Sequence, residues 1–475
     1  MPAKIKFGTD CWRAVIAEDF TFPNVRACAQ GVADYLKAEG RGKGGLVIGY
    51  DTRYASEDFA AACADVIAAS GIKVYLLTKT APTPVTSFTI TAVKADGGIM
   101  ITASHNPGSY NGFKYKVNTG CSAPTEVINV VEANTNRVAE SGGMSRMALK
   151  EALGKKLLKY HDPYHAYAKQ LGTLVDIAAI KKAKLRVVAD YMFGAGLGYF
   201  SELLDGGAIK VHEINKVRNP LFPGIRPEPI AVNLGKLSRH VIRDNADVGF
   251  ATDGDADRLG VVDENGKVLT TQEVFALLAM YFLEVRKERG PIVKTLTSTD
   301  MLYKIGEKYN VPVFETPVGF KYVAPIMVKE NALLGGEESG GYGFRGHIPE
   351  RDGILAGLYI LDYLNRTGKT PSALLADLFK KFGPHYYDRV DMQVSEDVKQ
   401  QMMAKLAKEK LDSIASRRVV KLDTRDGFRY KLEDGAWLLV RFSGTEPLVR
   451  IYAESSRQDD VQKLLEIGQG MAGAG

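Results

Sequence analysis

The chain has 475 residues, of which 45% are hydrophobic and 25% charged, and its formal net charge is +6. This length excludes a single hydrophobic core and predicts three or four domains. The composition is that of an ordinary soluble globular protein. The small charge, without a dense Lys/Arg run, argues against nucleic acid as a partner and suits small anionic substrates. No segment reaches signal-peptide or membrane-spanning length, so we expect a cytoplasmic protein without membrane contact. The four cysteines, Cys11, Cys28, Cys63 and Cys121, lack metal-ligand spacing and are expected to be reduced.

Strand and helix patterns alternate over the first third of the chain. In chain order we predict a helix capped by Asn24 and ending at Gly40, a strand at 46–50, a helix capped by Ser56 and stopped by Gly71, strands at 72–77 and 98–101, and a helix at 126–139. This alternation is typical of βαβ units on a largely parallel sheet.

The same order of elements recurs further along the chain. A second unit runs from a strand at 185–190 through a Pro-rich connection at 218–229 to a strand at 248–251, and a third has a helix at 273–286, strands at 292–296 and 332–335, and helices ending near 382. From 386 the pattern changes to a helix, short strands and a closing helix, as in an α+β domain. We therefore predict an α/β fold around a central cleft, with three related α/β domains of mixed, largely parallel sheets (1–155, 156–266 and 267–382) and a smaller C-terminal α+β domain (383–475).

Each predicted domain carries one polar motif directly after a strand. The first is TASHNP at 102–107, which follows the strand at 98–101. This placement puts Ser104 at the carboxyl edge of a sheet, where open α/β sheets bind ligands. Ser104 could be a nucleophile, or Ser104 and Asn106 could only build a turn before Pro107.

The second motif is DGDADR at 253–258, after the strand at 248–251. Carboxylates at i, i+2 and i+4 around a glycine can converge on one hard divalent cation, and Mg²⁺ comes first because it prefers few carboxylates plus phosphate oxygen. An EF-hand calcium loop would need its bidentate Glu at 264, a position that follows a strand-like run. A structural calcium turn and a solvated acidic loop stay open as alternatives.

The third motif, GGEESGG at 335–341, suits a sugar. Glu337 and Ser339 share one side of an extended segment, where an acid and a hydroxyl match neighbouring sugar hydroxyls. His347 and Arg351 could add polar contacts or lie on the surface. A flexible turn is the alternative for the motif itself.

The fourth motif, RFSGTEP at 441–447, suits a phosphate. The planar fork of Arg441, the hydroxyls of Ser443 and Thr445 and the backbone N–H groups around Gly444 together make an anion nest. A hairpin turn is the alternative. Four unrelated turns would rarely be distributed one to each domain, so the motifs favour one shared site.

In this order the four motifs resemble those of the α-D-phosphohexomutase superfamily (phosphoglucomutase/phosphomannomutase), over essentially the whole chain. TASHNP resembles the phosphoserine loop, DGDADR the magnesium loop, GEESG the sugar loop and RFSGT the phosphate loop of that family. Further similar segments lie at 7–9, 227–229 and 316–322.

The resemblance implies an isomerase in which Ser104 is stored as phosphoserine. It implies Mg²⁺ held by a phosphoryl oxygen on Ser104 and by Asp253, Asp255 and Asp257. It also implies Lys114 as general acid/base with His105 as a helper, and Arg13 as a residue that stabilises phosphoryl charge, although Lys114 could instead be a surface residue of a strand. The implied substrate-binding residues are Arg258, Lys321, Glu337, Ser339, His347, Arg351, Arg441, Ser443, Gly444 and Thr445. Hexose phosphates would be the partners, and glucose 1,6-bisphosphate the primer and intermediate.

The sugar loop is most like that of phosphoglucomutases, so we predict interconversion of glucose 1-phosphate and glucose 6-phosphate. Mannose phosphates, or both sugars, are the alternative, whereas phosphoglucosamine mutases commonly carry Gln at the second acidic position. Two alternatives belong to other functional classes. A metal-dependent phosphatase should lack a second phosphate-binding loop. A non-catalytic sugar phosphate sensor would have no need for both Ser104 and the three aspartates expected to bind a metal.

Overall fold

The computed structural model of the protein describes residues 4–8, 11–409, 411–443 and 448–471. These residues form four sheets in successive parts of the chain. None of the described helices has the length and apolar character that a membrane crossing requires.

The first unit is a mixed sheet flanked by helices. Its strands are β1 (Trp12–Val15), β2 (Leu46–Tyr50), β3 (Val74–Leu77), β4 (Gly97–Ile101), β5 (Tyr110–Val117) and β6 (Leu158–His161), and its helices are α1 (Phe22–Ala38), α2 (Ser56–Ala69), α3 (Thr83–Ala92), α4 (Thr125–Ser141) and α5 (Leu149–Gly154). The strand order is β1-β5-β4-β2-β3-β6, with β4, β2, β3 and β6 parallel and β5 antiparallel to both neighbours. Because β2 and β4 are parallel neighbours, the segments that follow them meet at one edge of the sheet.

Both helix caps predicted in this unit are wrong. The first turn of α1 begins after Thr21, and the Asn24 side chain instead donates to the carbonyl of Asp19. The cap position of α2 is Ala55, which has a left-handed backbone (φ 54°), while Ser56 donates from Oγ to Asp51 Oδ1 at 2.8 Å. Hydrogen bonds to residues five positions upstream thus use the side chains that sequence rules assign to capping.

The second unit brings the acidic motif to a sheet edge. Its helices are α6 (Tyr164–Leu174), α7 (Ile177–Lys182), α8 (Tyr199–Leu204) and α9 (Gly235–Arg243), and its strands are β7 (Arg186–Asp190), β8 (Lys210–Ile214), β9 (Val248–Thr252), β10 (Leu259–Asp263) and β11 (Val268–Leu269). The order is β11-β10-β9-β7-β8, in which β9, β7 and β8 are parallel. Residues 253–258 form the turn between the antiparallel pair β9 and β10.

The third unit repeats this plan. It contains α10 (Thr271–Met280), β12 (Ile292–Thr295), α11 (Met301–Tyr309), β13 (Val313–Thr316), α12 (Phe320–Lys329), β14 (Leu334–Gly336), β15 (Tyr342–Phe344), α13 (Gly353–Thr367) and α14 (Pro371–Phe382). The sheet order is β13-β12-β14-β15, and only the β14–β15 pair is antiparallel. The predicted helix at 273–286 begins behind a capping box of Thr270 and Glu273, and after Met280 it continues as a π-helical turn, Tyr281–Val285.

The fourth unit is an antiparallel sheet with two helices. It contains β16 (Tyr386–Gln393), α15 (Glu396–Lys408), β17 (Ser413–Ile414), β18 (Arg417–Asp423), β19 (Phe428–Leu432), β20 (Trp437–Phe442), β21 (Leu448–Ser455) and α16 (Gln458–Met471), in the strand order β16-β21-β20-β19-β18-β17. The α+β class is confirmed, but the unit opens with strand β16 where a helix was expected.

Two features bear on the division into domains. Strand β6 pairs with β3, with Leu158 opposite Val74, so the first sheet extends past the expected boundary at 155. We propose to move that boundary beyond His161.

One hydrophobic cluster runs through the second and third units and reaches into the first. Most of the fourth unit's core is separate. A small cluster around Trp437 and Leu296 joins the fourth unit to the third.

Candidate active site

Ser104 lies at the carboxyl end of β4, buried between the first and second units. Its backbone is left-handed (φ 51°), and its N–H donates to Thr102 Oγ1 at 2.8 Å. The residue is 1% exposed, and its Oγ donates to Asp253 Oδ2 at 2.9 Å. A serine in a strained backbone conformation, hydrogen-bonded to a buried carboxylate, is the kind of arrangement that concentrates at functional sites.

The three aspartates of the acidic motif converge. Their ligand oxygens all lie within 4.8 Å of one another, and all three residues are buried. Asp253 Oδ1 accepts the backbone N–H groups of Asp257 (3.0 Å) and Arg258 (3.1 Å). A Cβ at Gly254 would lie 2.2 Å from the carbonyl oxygen of Ser104, so the two loops can touch only because this residue is glycine.

These carboxylates fit a divalent cation. Burial, followed by the charges of Asp257 and Asp255, raises the pKa of Asp253 well above its usual range, and burial likewise raises the pKa of Asp257. Asp255 Oδ1 and Asp257 Oδ1 are buried and have no hydrogen-bond partner among the described residues. A hard cation would ligate these oxygens and offset the repulsion. The EF-hand alternative fails, since Glu264 binds the backbone N–H and hydroxyl of Ser372.

Lys114 is buried against this motif and is not a surface residue of a strand. It lies on β5, and its Nζ donates to Asp255 Oδ2 at 2.9 Å and lies 3.7 Å from Asp257 Oδ2. Thr83 Oγ1 donates to the same Asp255 oxygen at 2.6 Å. Burial would raise the pKa of Asp255, but Lys114 and Thr83 outweigh it and hold that pKa well below its usual range.

His105 connects Ser104 to Arg258. Its Nδ1 lies 3.4 Å from Ser104 Oγ and 3.0 Å from Arg258 Nη2. Because a guanidinium only donates, Nδ1 is the acceptor in the second contact. Burial, followed by the positive charges of Arg258 and Arg13, lowers the pKa of His105 well below its ordinary value. The ring is therefore neutral near pH 7.

A cavity of about 730 Å³ is lined by His105, Arg258 and Arg351, the direct contacts of Ser104 and of the aspartates. All four units contribute to its wall, including Arg13 and His105 from the first, Glu228 and Arg258 from the second, Lys321 and Glu337 from the third, and Arg389, Arg441 and Arg450 from the fourth. Cationic side chains outnumber acidic ones on this wall, which suits a ligand with negative charge.

The expected sugar loop reaches the cavity between β14 and β15. Glu337 is 6% exposed and accepts from Arg351 Nη1 at 3.1 Å, while Arg351 Nη2 donates to Asp257 Oδ2 at 2.5 Å. Arg351 thereby ties this loop to the aspartates. Ser339 Oγ is buried beside the cavity and has no hydrogen-bond partner among the described residues, so it is available to a ligand hydroxyl.

Two described residues of the expected phosphate loop also line the cavity. Arg441 is at the end of β20, where its Nε donates to Asp426 Oδ1 at 3.0 Å, and Ser443 also lines the cavity. Gly444 and Thr445 of this predicted nest lie outside the described residues. Lys321, on α12, lines the cavity and donates to Thr125 Oγ1 at 3.1 Å.

Family models match almost the whole chain. The phosphoglucomutase/phosphomannomutase alpha/beta/alpha domains I, II and III match residues 4–141, 165–266 and 270–382, and the C-terminal domain of the same family matches residues 393–467. The chain belongs to the phosphoglucomutase/phosphomannomutase family. It is therefore a phosphohexomutase, an isomerase that transfers phosphate within its substrate.

Relatives of this phosphohexomutase carry different substrate names. It is 33% identical to the phosphoglucomutase/phosphomannomutase of Thermococcus kodakarensis, over 97% of each chain. It is 32% identical to a protein of Methanosphaera stadtmanae named as a phosphoglucosamine mutase, over 97% of this chain and 96% of that one. These relatives belong to the same family, but their names give different hexose phosphates as substrates.

Solved structures show the same four-part architecture. A Thermus thermophilus protein assigned as a phosphomannomutase has a TM-score of 0.86 at 35% identity, with 99% of both chains covered. The N-acetylphosphoglucosamine mutase of Aspergillus fumigatus, solved with GlcNAc-6P and magnesium, has a TM-score of 0.62 over 99% of this chain and 96% of that one. At 16% identity this second likeness shows the fold alone.

Most residues predicted for the phosphohexomutase site come together, and His347 does not. Its side chain is buried, with Nε2 2.9 Å from Asp352 Oδ2 and the ring stacked on Phe88 at 6.3 Å, near Tyr167. It is absent from the described lining of the cavity. His347 stays a predicted substrate-binding residue, and in this structure packing directs its ring into the protein.

Arg53 is a site residue that the motif search missed. Its side chain is fully buried and pairs with Asp51 at 3.2 Å. Its guanidinium donates to the carbonyl oxygens of Ser104 (2.6 Å), Asn106 (2.6 Å), Pro107 (2.7 Å) and Tyr110 (2.9 Å). The sequence does carry a sign of this role, because Arg53 follows the predicted strand at 46–50. In the structure this strand, β2, is the parallel neighbour of β4, which precedes Ser104.

Arg389 and Arg450 were also missed. They lie on β16 and β21 and line the cavity. A single arginine in a strand has no motif around it, so local sequence offers no sign that it faces a site.

Proposed function

We propose that this phosphohexomutase interconverts glucose 1-phosphate and glucose 6-phosphate through a phosphoserine at Ser104. The observation that carries the proposal is the hydrogen bond of 2.9 Å between Ser104 Oγ and Asp253, beside a cavity with a cationic wall. It places a hydroxyl, a cation-binding motif and room for a sugar phosphate next to one another.

Asp253, Asp255 and Asp257 are proposed to hold Mg²⁺, together with an oxygen of the phosphoryl group on Ser104. When bound, the ion would act as a Lewis acid and offset phosphoryl charge. Arg13 and Arg258, on the adjoining cavity wall, would stabilise the same charge from the protein side.

Transfer would exchange one oxygen–phosphorus bond for another. The free hydroxyl oxygen of the bound sugar phosphate attacks the phosphorus, the bond between phosphorus and Ser104 Oγ breaks, and a 1,6-bisphosphate forms. His105, neutral at pH 7, and Lys114 would carry the hydroxyl proton and return a proton to Ser104 Oγ. The bisphosphate would then reverse its orientation in the site, so that its other phosphate is transferred to Ser104. The result is isomerisation without net hydrolysis.

The remaining wall residues are proposed to hold the sugar phosphate. Glu337 and Ser339 would bind sugar hydroxyls, with Arg351 positioning the loop. The substrate's own phosphate would lie among Arg441, Ser443 and Lys321, and, from the sequence, Gly444 and Thr445. This cradle on the fourth unit supports a mutase over a phosphatase, because a mutase must hold a second phosphate while the first is transferred.

Mannose phosphates are the second candidate substrates, and glucosamine phosphates the third, since relatives carry all of these names. The test is a mutase assay on glucose, mannose and glucosamine 1-phosphates, each with and without Mg²⁺ and a 1,6-bisphosphate primer. We expect the highest kcat/KM with glucose 1-phosphate, and activity that requires Mg²⁺ and rises with primer. Higher kcat/KM with another hexose would overturn the substrate assignment, and net release of inorganic phosphate would favour the phosphatase. Binding without turnover would favour the sensor.

A further inference from the structure

A second group of metal-ligating side chains lies outside the candidate active site. Among the described residues, the groups of three His, Cys, Asp or Glu with ligand atoms within 4.8 Å of one another are the aspartates above and the set His212, His240 and Asp244. We propose that this second set binds a transition-metal cation of the Zn²⁺ or Co²⁺ class. It is named here the histidine site.

Two ordered elements present these ligands. His212 lies on β8, the edge strand of the second sheet, opposite Val188 of β7. His240 is in the last turn of α9, and Asp244 follows that helix directly. The spacing of four residues puts His240 and Asp244 on the same side of the helix end. The buried residues Leu237 and Val241 of α9 pack in the hydrophobic cluster of the second unit and fix the helix against the sheet.

The ligand atoms are arranged for coordination. His212 Nδ1 is in direct contact with Asp244 Oδ2. Arg243 donates from Nε to Asp244 Oδ1 at 2.7 Å, and hydrogen bonds of this kind orient carboxylate ligands at metal sites. His240 Nδ1 is buried and has no hydrogen-bond partner in the described part of the chain. A buried ring nitrogen without a partner, on an imidazole whose ring centroid lies 5.4 Å from that of His212, points to a ligand.

The donor set selects the class of cation. Two imidazoles and one carboxylate suit Zn²⁺, Co²⁺, Ni²⁺ or Cu²⁺, whereas Mg²⁺ and Ca²⁺ prefer oxygen alone. Three protein ligands leave a further position for water. The nearby Arg243 disfavours a cation held by charge alone, so nitrogen coordination has to supply the binding. A bound ion would join the edge strand β8 to the end of α9 and so stabilise the second unit.

The test titrates Co²⁺ into the full chain carrying Asp253→Asn and Asp257→Asn, which removes the other candidate site. Visible absorption and equilibrium dialysis should report one Co²⁺ per chain, displaced by Zn²⁺. His240→Asn in that background should weaken Co²⁺ binding by about 10-fold or more. His165→Asn, an exposed histidine on α6, is the matched control and should leave binding unchanged.

Absence of Co²⁺ binding in the aspartate variant, or equal binding with and without His240→Asn, would overturn the proposal. If the aspartate variant does not fold, the same comparison in the otherwise unaltered chain with Mg²⁺ in excess decides it. His240→Asn should there lower the Co²⁺ bound per chain by one while mutase activity with Mg²⁺ stays unchanged.

Discussion

One buried guanidinium fixes the backbone of the serine turn. Arg53 donates to four carbonyl oxygens between Ser104 and Tyr110, including that of Ser104. A lysine in its place keeps the charge but lacks the planar fork, so it cannot span these acceptors. The left-handed backbone of Ser104 would then lose its main external support.

We expect Arg53→Lys to lower kcat by about 100-fold, because a displacement of about 1 Å at a reacting group costs that much, with a much smaller change in KM. Steady-state kinetics and circular dichroism measure this. Arg146→Lys, at an exposed ion pair with Asp65 in the same unit, is the control and should keep kcat. Unchanged kcat in Arg53→Lys would show that the serine turn keeps its conformation without the guanidinium of Arg53.

Lys114 provides a second test at the residue scale. Lys114→Met removes the proton carrier, and Lys114→Arg keeps the charge but cannot release a proton. Both variants should lower kcat by about 10²–10⁴-fold, the usual contribution of general acid/base catalysis. Lys73→Met, a lysine of the same unit stacked on Tyr75, is the control. Near-normal kcat in Lys114→Arg would mean that Lys114 acts by charge alone.

At the scale of elements, an ion-pair cluster joins the third and fourth units. Arg429, buried on β19, lies 2.7 Å from both Asp300 Oδ1 and Glu315 Oε2, and Lys431 lies 3.0 Å from Asp300 Oδ2. Burial acts to raise the pKa of Asp300 and of Glu315, but Lys294 and Arg429 outweigh it and hold both pKa values well below their usual range.

The sign of the pH dependence follows from these lowered pKa values. Carboxylates with lowered folded-state pKa stabilise the docked fourth unit above their unfolded pKa of about 4, and this stabilisation is lost as the pH falls below that value. Limited proteolysis between pH 7 and pH 3 should therefore show the fourth unit released in the acid range. Asp300→Asn with Glu315→Gln should flatten the profile. An unchanged profile in that variant would exclude the cluster as the cause.

The elements that sequence predicted well are those set by local pattern. Strands β4 and β9 and the polar motifs after them were predicted because an apolar run followed by charged residues is a local signal. The caps at Asn24 and Ser56 were wrong because groups five residues upstream, the carbonyl of Asp19 and Oδ1 of Asp51, accept from those side chains. Arg53 was missed, and the interior position of the His347 ring was not predicted, because the direction of a side chain depends on packing between units.

At the scale of the whole molecule, the site is assembled only when all four units are in place. Residues that line the cavity come from every sheet-containing part of the chain. The fourth unit is joined to the third by ion pairs and by the small cluster around Trp437 and Leu296, and its core is largely separate. Such an interface suits a unit that moves when a ligand's phosphate binds its arginines. Identical small-angle scattering curves with and without glucose 6-phosphate would contradict that motion.

Metal removal should change the stability of the molecule. A cation that binds only the folded state stabilises it, by about 2.7 kcal/mol at a concentration 100-fold above Kd. Mg²⁺ should therefore raise Tm in calorimetry, and a chelator should reverse the change. Asp255→Asn should abolish the response, whereas Glu151→Gln on the surface of α5 should keep it. A response that survives Asp255→Asn would place the ion elsewhere.

If Ser104 carries the transferred phosphate, peptide mass spectrometry of the protein after incubation with glucose 1,6-bisphosphate should detect it there. We expect one phosphoryl group on Ser104, lost again when glucose 1-phosphate or glucose 6-phosphate is added, and neither phosphate nor mutase activity in Ser104→Ala. Full mutase activity in Ser104→Ala, or a phosphoryl group at another residue, would contradict it.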